Sequence, residues 1–227
     1  MTRKALIITL FSSLTVCAGE QMRIRLCNLD AVPETIIARA RPVVVAIFRP
    51  LQVDLRWVAC DDRTGAAPAV ILRLRRHGPF LESDSGSLDM MGMAFTSVGI
   101  TGTLADVYYA AVEKFAAKYG ADPAEVLGCV IAHEIGHLLL GPGHVDAGIM
   151  CARWNTRTLK SARQRWLTFS RTQRAAIHRE LQARSLLAAK QWRHLEFPVS
   201  RSWNCAPCPC SDIPEHRNGL YVTRHPS

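Results

Sequence analysis

The segment from Asp122 to Gly143 limits the fold of this chain more than any other. Asp122-Pro123 is a helix start: a carboxylate to cap free N–H groups, then a proline whose missing N–H costs nothing in the first turn. Gly141-Pro142-Gly143 is a stop, because glycine supplies the open backbone geometry and proline forbids continuation. Between them Val126, Leu127, Val130, Ile131, Leu138, Leu139 and Leu140 leave little polar surface, which predicts a buried central helix over Ala124–Leu140. That helix nevertheless carries His133, Glu134 and His137. Ionisable groups inside an apolar core are costly unless something satisfies them. The choice lies between a self-satisfied polar cluster and a bound metal.

The spacing favours the metal. Residues four apart share one helix face, so His133 and His137 can both reach a single zinc ion, at about 2.0–2.1 Å through ring nitrogens. Glu134 lies one position on, beside such an ion rather than on it. There it can take a proton from a zinc-bound water and pass it to a leaving amine. Three protein ligands would leave a fourth position for water.

The wider stretch from Ala132 to Met150, HEIGHLLLGPGH followed by VDAGIM, resembles the signature of the metzincin zinc metallopeptidases. The resemblance implies a zincin-like α+β fold, hydrolysis of peptide or protein substrates, and a catalytic role for Glu134. It also implies zinc held by His133, His137 and His144, with Gly141 as the turn glycine and Met150 as the methionine-turn residue under the metal. It further implies an edge strand that pairs with extended substrate, for which Met90–Thr96 is the candidate. One departure stands out. Three residues separate His137 from Gly141 where the family has two, so His144 comes one residue late. An extra helical residue turns the exit by roughly 100°. Asp146 is the alternative third ligand, since aspartate also binds zinc. His144 is preferred, because Gly141 and Gly143 let the chain reverse just past the helix end.

Upstream, alternation predicts strands at Met22–Leu29, Val53–Ala59 and Val70–Arg75, and a further strand over Met90–Thr96 that could continue to Thr103. Pro33 opens a helical pattern through Ile36, Ile37, Ala40, Val44, Ile47 and Phe48, with a kink or break expected at Pro42. Asp106–Tyr119 reads as an amphipathic helix ending at Gly120, and Ser170 as a cap for a helix over Arg171–Leu187. No internal repeat is found. A small mixed N-terminal sheet, a central helix bearing the site and C-terminal helices make an α+β architecture.

The 227 residues suffice for one domain with appendages, and 48% hydrophobic against 21% charged residues excludes a wholly disordered chain. Arg3-Lys4, an apolar run over Ala5–Val16 and small residues at Cys17-Ala18 predict an export signal over 1–18. The mature chain would then begin near Gly19, leaving no room there for a separate inhibitory segment. Lipid attachment at Cys17 ranks second, because Val16 is bulky for that processing. The peptidase domain is expected over 19–197 and an irregular Cys/Pro-rich tail over 198–227. Export permits disulfides, and Cys27 and Cys60 sit near the ends of two predicted strands. Cys205, Cys208 and Cys210 with His216 could hold a second metal, although disulfides or an irregular tail are preferred; Cys151 follows Met150 and could lie near the metal, but a plain buried cysteine is preferred. His77, His178, His194 and His225 read as surface residues.

The leading expectation is therefore an exported zinc endopeptidase. Two other classes compete with it. One is a zinc-binding interaction protein without turnover, which would have no use for Glu134. The other is a binder of nucleic acid or anionic surfaces through the basic stretch Arg153–Arg193, where Glu180 is the one acid. The net charge of +9 allows association with anionic surfaces, but no known nucleic-acid module fits that stretch.

Overall fold

The computed structural model describes residues 20–62, 69–78, 90–96, 101–155, 158–159 and 167–195, with side chains of the last helix described to 190. The expected export segment with Cys17, the tail with Cys205, Cys208, Cys210, His216 and His225, the side chain of His194 and part of the basic stretch lie outside these residues.

The chain runs through β1 (Glu20–Asn28), α1 (Glu34–Phe48), β2 (Val53–Val58), β3 (Ala69–Arg75), β4 (Gly92–Ala94), β5 (Leu104–Tyr108), α2 (Tyr109–Tyr119), α3 (Pro123–Leu140) and α4 (Arg171–Leu195). The five strands form one mixed sheet in the order β2-β1-β3-β5-β4, with β4 antiparallel at the edge and every other pairing parallel. Period-2 burial decides which face turns inward. Met22, Ile24 and Leu26 of β1, Val70, Leu72 and Leu74 of β3, and Ala105 and Val107 of β5 all face the helices. The register stacks them in rows, with Ile24 beside Val70 and Leu26 beside Leu72. On the other face Arg73 sets a two-pronged guanidinium on Asp106, at 2.5 and 2.8 Å, and Arg23 pairs with Asp62 at 3.0 Å. Cys27 and Cys60 form a disulfide that closes the β1–α1–β2 unit.

α3 is as long and apolar as a membrane span, yet most of it is buried within the domain. Asp122 caps it by accepting from the Ala124 N–H at 3.0 Å. α1 lies close against it at Gly128, where an added Cβ would fall 2.6 Å from Val43 Cβ and 2.7 Å from the Ala40 carbonyl. α4 opens with a reciprocal cap. Ser170 Oγ accepts from the Gln173 N–H at 3.2 Å, and Gln173 accepts from the Ser170 N–H at 2.8 Å. Further along, Arg184 holds Glu180 through Nε and donates through Nη2 to the carbonyls of Gly102 and Leu138, at 2.9 and 2.7 Å. The Leu138 carbonyl is among the last of α3, which have no partner within the helix.

Several sequence expectations need correction. The expected helix over Asp106–Tyr119 begins only at Tyr109, because Leu104–Tyr108 is an interior strand of the sheet. The Asp106 carboxylate faces Arg73 across the strand pair, which a helix would not allow. Pro42 lies inside a single α1 rather than dividing it, since neighbouring buried residues Ala40 and Val44 hold the helix to the core. The edge strand is only Gly92–Ala94; residues 101–103 are not strand, and 97–100 are outside the described residues. The last helix runs past Leu187 to Leu195. His178 is half-buried and bonded to Glu20 at 2.7 Å, whereas His77 is exposed as expected.

Candidate metal centre

His133 and His137 are buried on successive turns of α3, and their Nε2 atoms stand 3.0 Å apart. Past the helix end, Gly141 and Gly143 take φ values of 85° and 129°, which let the chain double back. That reversal brings His144 Nε2 to 3.2 Å from His137 Nε2, and the three histidines offer ligand atoms within 4.8 Å of one another. Asp146, the alternative third ligand, is exposed on the turn and is not part of this cluster.

Backbone carbonyls fix which ring nitrogens face the centre. The His133 Nδ1–H donates to the Ile149 carbonyl at 2.7 Å, and the His137 Nδ1–H to the Gly141 carbonyl at 3.3 Å. A carbonyl only accepts, so each Nδ1 keeps its proton and each Nε2 turns a lone pair inward. Burial pushes His133 down to about 4 and lowers His137 as well, which keeps both rings neutral near pH 7. Neutral lone pairs packed at this separation repel unless a cation lies among them. Ligands at tetrahedral zinc distances stand about 3.3–3.4 Å apart. The donor set, its spacing and its carbonyl support therefore fit zinc.

Met150 packs against the helix that carries the cluster. An added Cβ on Gly136 would come 2.3 Å from Met150 Sδ, so this glycine lets the methionine turn press against the helix between Glu134 and His137. The turn is held by Val145 N–H to Met150 carbonyl and Ile149 N–H to Thr168 carbonyl bonds, at 3.0 and 3.1 Å.

Glu134 is buried beside the histidines but outside their cluster. Burial pushes its carboxyl up to about 8, partly offset by a hydrogen bond from the Ala94 N–H. On the same strand Gly92 makes room for it, since a Cβ there would lie 2.5 Å from Glu134 Oε1. Cys151 is half-buried rather than fully buried and lines the cleft above the centre. Sequence reasoning missed Gly92, Ala94 and Trp154, whose ring meets His133 edge-on at 5.8 Å. No local pattern announces these contacts, because each joins segments distant in sequence.

A mixed sheet, a central histidine-bearing helix, a third histidine beyond a glycine turn and a methionine against that helix together place three imidazoles where one metal ion could be held. No protein-family model matches the sequence, and no curated protein matches it. Among solved structures the chain is similar to archaemetzincin from Methanopyrus kandleri, with a TM-score of 0.44 and 15% identity over 74% of this chain and 99% of that one. It is similar also to metalloproteinase-II from Bacteroides fragilis, with a TM-score of 0.44 and 16% identity over 73% of this chain and 54% of that one, about half its length.

Proposed function

We propose that this chain is a zinc-dependent endopeptidase, with His133, His137 and His144 as metal ligands and Glu134 as general base. The observation that carries the reading is the convergence of three imidazoles, two of them held by backbone carbonyls at Nδ1, beside a buried carboxylate that is not one of them. A purely structural zinc site would close its fourth position with a protein ligand and would leave Glu134 without a purpose. Zinc, when bound, supplies Lewis acidity that polarises a peptide carbonyl and acidifies a water. Glu134 takes the proton of the attacking water and delivers it to the leaving amine. The Ala94 N–H aims that carboxylate, and burial raises its affinity for a proton.

The edge strand supports a peptide substrate. β5 engages the Met91 carbonyl and the Phe95 N–H, so the backbone groups at Gly92 and the Ala94 carbonyl turn away from β5, while the Ala94 N–H is taken by Glu134. An extended peptide can add to such an edge. Export to an oxidising compartment is part of the proposal, supported by the Cys27–Cys60 disulfide and the pattern of residues 1–18.

The test combines metal analysis of purified protein with peptide cleavage. The expected result is one zinc per chain and cleavage abolished by chelator and restored by zinc. Glu134→Gln should keep the zinc and lose about 10²–10⁴-fold in turnover. A glutamine variant retaining most of its activity would show the mechanism to be wrong.

A further inference from the structure

The cleft above the histidines, about 680 Å³ in volume, has a distinctive wall. α2 contributes Phe115 and Tyr119, one helical turn apart with ring centroids 4.7 Å from each other. Trp154 extends this surface, 6.4 Å from Phe115 and 5.8 Å from His133, and is fixed by its Nε1–H donating to the Cys151 carbonyl at 3.1 Å. A continuous aromatic surface thus runs from α2 to a proposed metal ligand. Two cations accompany it. Lys118 Nζ lies 5.3 Å from the Tyr119 ring at one end, and Arg153 adjoins Trp154 at the other. Both are exposed. Among the described residues the one carboxylate lining the cleft is Glu134, which is buried and committed to the centre.

From this arrangement we infer that the cleft selects peptides carrying a carboxylate next to an apolar residue, the apolar side chain lying on the aromatic wall and a flanking carboxylate reaching Lys118 at one end or Arg153 at the other. A cleft lined by one sign of charge raises the local concentration of the opposite sign and rejects its own. Aromatic faces accept apolar side chains of many shapes without a polar partner. Basic peptides meet like charge, and neutral peptides gain only the wall. The carboxylate has two sources, an internal Asp or Glu or the peptide's own C-terminus, and both present the same group to the two cations. This inference takes the cleft to be the peptide site proposed above.

Affinity measured without turnover separates the two claims. Zinc-loaded Glu134→Gln protein is titrated into fluorescent peptides of equal length, with a central Leu flanked by Glu, Gln or Lys, each with a free or an amidated C-terminus. Two exposed ion pairs predict that the Glu peptide binds about five- to tenfold tighter than the Gln peptide at low salt, with the Lys peptide weakest. The advantage should shrink as salt rises. Adding Lys118→Glu and Arg153→Glu should reverse the order. The milder pair Lys118→Gln and Arg153→Gln should bring the Glu and Gln peptides within about twofold of each other. An advantage held by the amidated Glu peptide identifies an internal carboxylate as the recognised group; one that tracks the free C-terminus identifies the terminal group. Equal affinities for Glu, Gln and amidated peptides, or tighter binding of the Lys peptide, would overturn the inference. Failure of wild-type protein to cleave any peptide, with the affinity order intact, would instead overturn the peptidase reading.

Discussion

Replacing Gly92 with alanine should cost activity without costing the fold. The new Cβ would meet Glu134 at 2.5 Å from Oε1 and 2.7 Å from both Cγ and Cδ. It meets the far end of a side chain that can rotate, not backbone, so relief is structurally cheap. Glycine to alanine in a strand at ordinary φ also restricts the unfolded chain, an effect of about 0.4–1 kcal/mol in favour of the folded state. The two terms leave stability within about 1 kcal/mol of wild type. Catalysis has no such relief. To regain ordinary contact the carboxylate must retreat by roughly an ångström and leave the Ala94 N–H, and a misplacement of that size costs about 100-fold, or about 2.7 kcal/mol of barrier. The assay is kcat for a cleaved peptide, set beside zinc content and melting temperature of the same sample. A hundredfold fall in kcat with zinc and melting temperature retained is the expected result. Unchanged kcat would show that strand and carboxylate do not meet during the reaction; loss of zinc or of the fold would show that Gly92 supports the centre rather than the base.

Other predictions are simpler to read. In chelator, the melting temperature of Glu134→Gln relative to wild type should rise as pH increases from 4.5 to 8. Burial lifts the folded carboxyl from 4.5 to about 8, so the wild type loses stability across that window while glutamine does not titrate; a flat difference would refute the burial argument. Zinc affinity should fall far more for His144→Ala than for Asp146→Ala, because the aspartate is exposed and outside the cluster; the reverse order would hand the ligand role to Asp146. Burial pushes the Cys129 thiol up to about 12, leaving roughly one thiolate in 10⁴ at pH 8. Iodoacetamide should therefore leave Cys129 untouched in the native protein while labelling the half-buried Cys151, as peptide mapping would show.

The reading from sequence succeeded where a pattern is local. A cap, an apolar run and a glycine stop located α3 to within a residue, and helical spacing put His133 and His137 on one face. It failed where partners are distant. Leu104–Tyr108 continues directly into a helix with no turn residue between, so the period shift from two to 3.6 had no punctuation to mark it. The strand is evident only from what it pairs with, Arg73 reaching Asp106 from a strand more than thirty positions earlier. Gly92 looks like an ordinary loop glycine until Glu134 is placed against it. The extra residue before Gly141 raised the question of the third ligand. The placement of His144 beside His137 rests on backbone angles at two glycines that the sequence permits but does not specify.

Arg184 gives the centre a place in time as well as in space. Its guanidinium closes the open end of α3 at Leu138, one residue beyond His137, and does so from a helix nearly fifty positions later in the chain. During synthesis the residues of the histidine cluster therefore emerge well before the group that fastens their helix. The nascent chain passes through an interval in which the triad is present but its support is not. Metal captured in that interval would sit on an unfinished frame. Docking of α4 supplies the last partner of that helix end, so the frame around the histidines closes only after the chain has grown well past them.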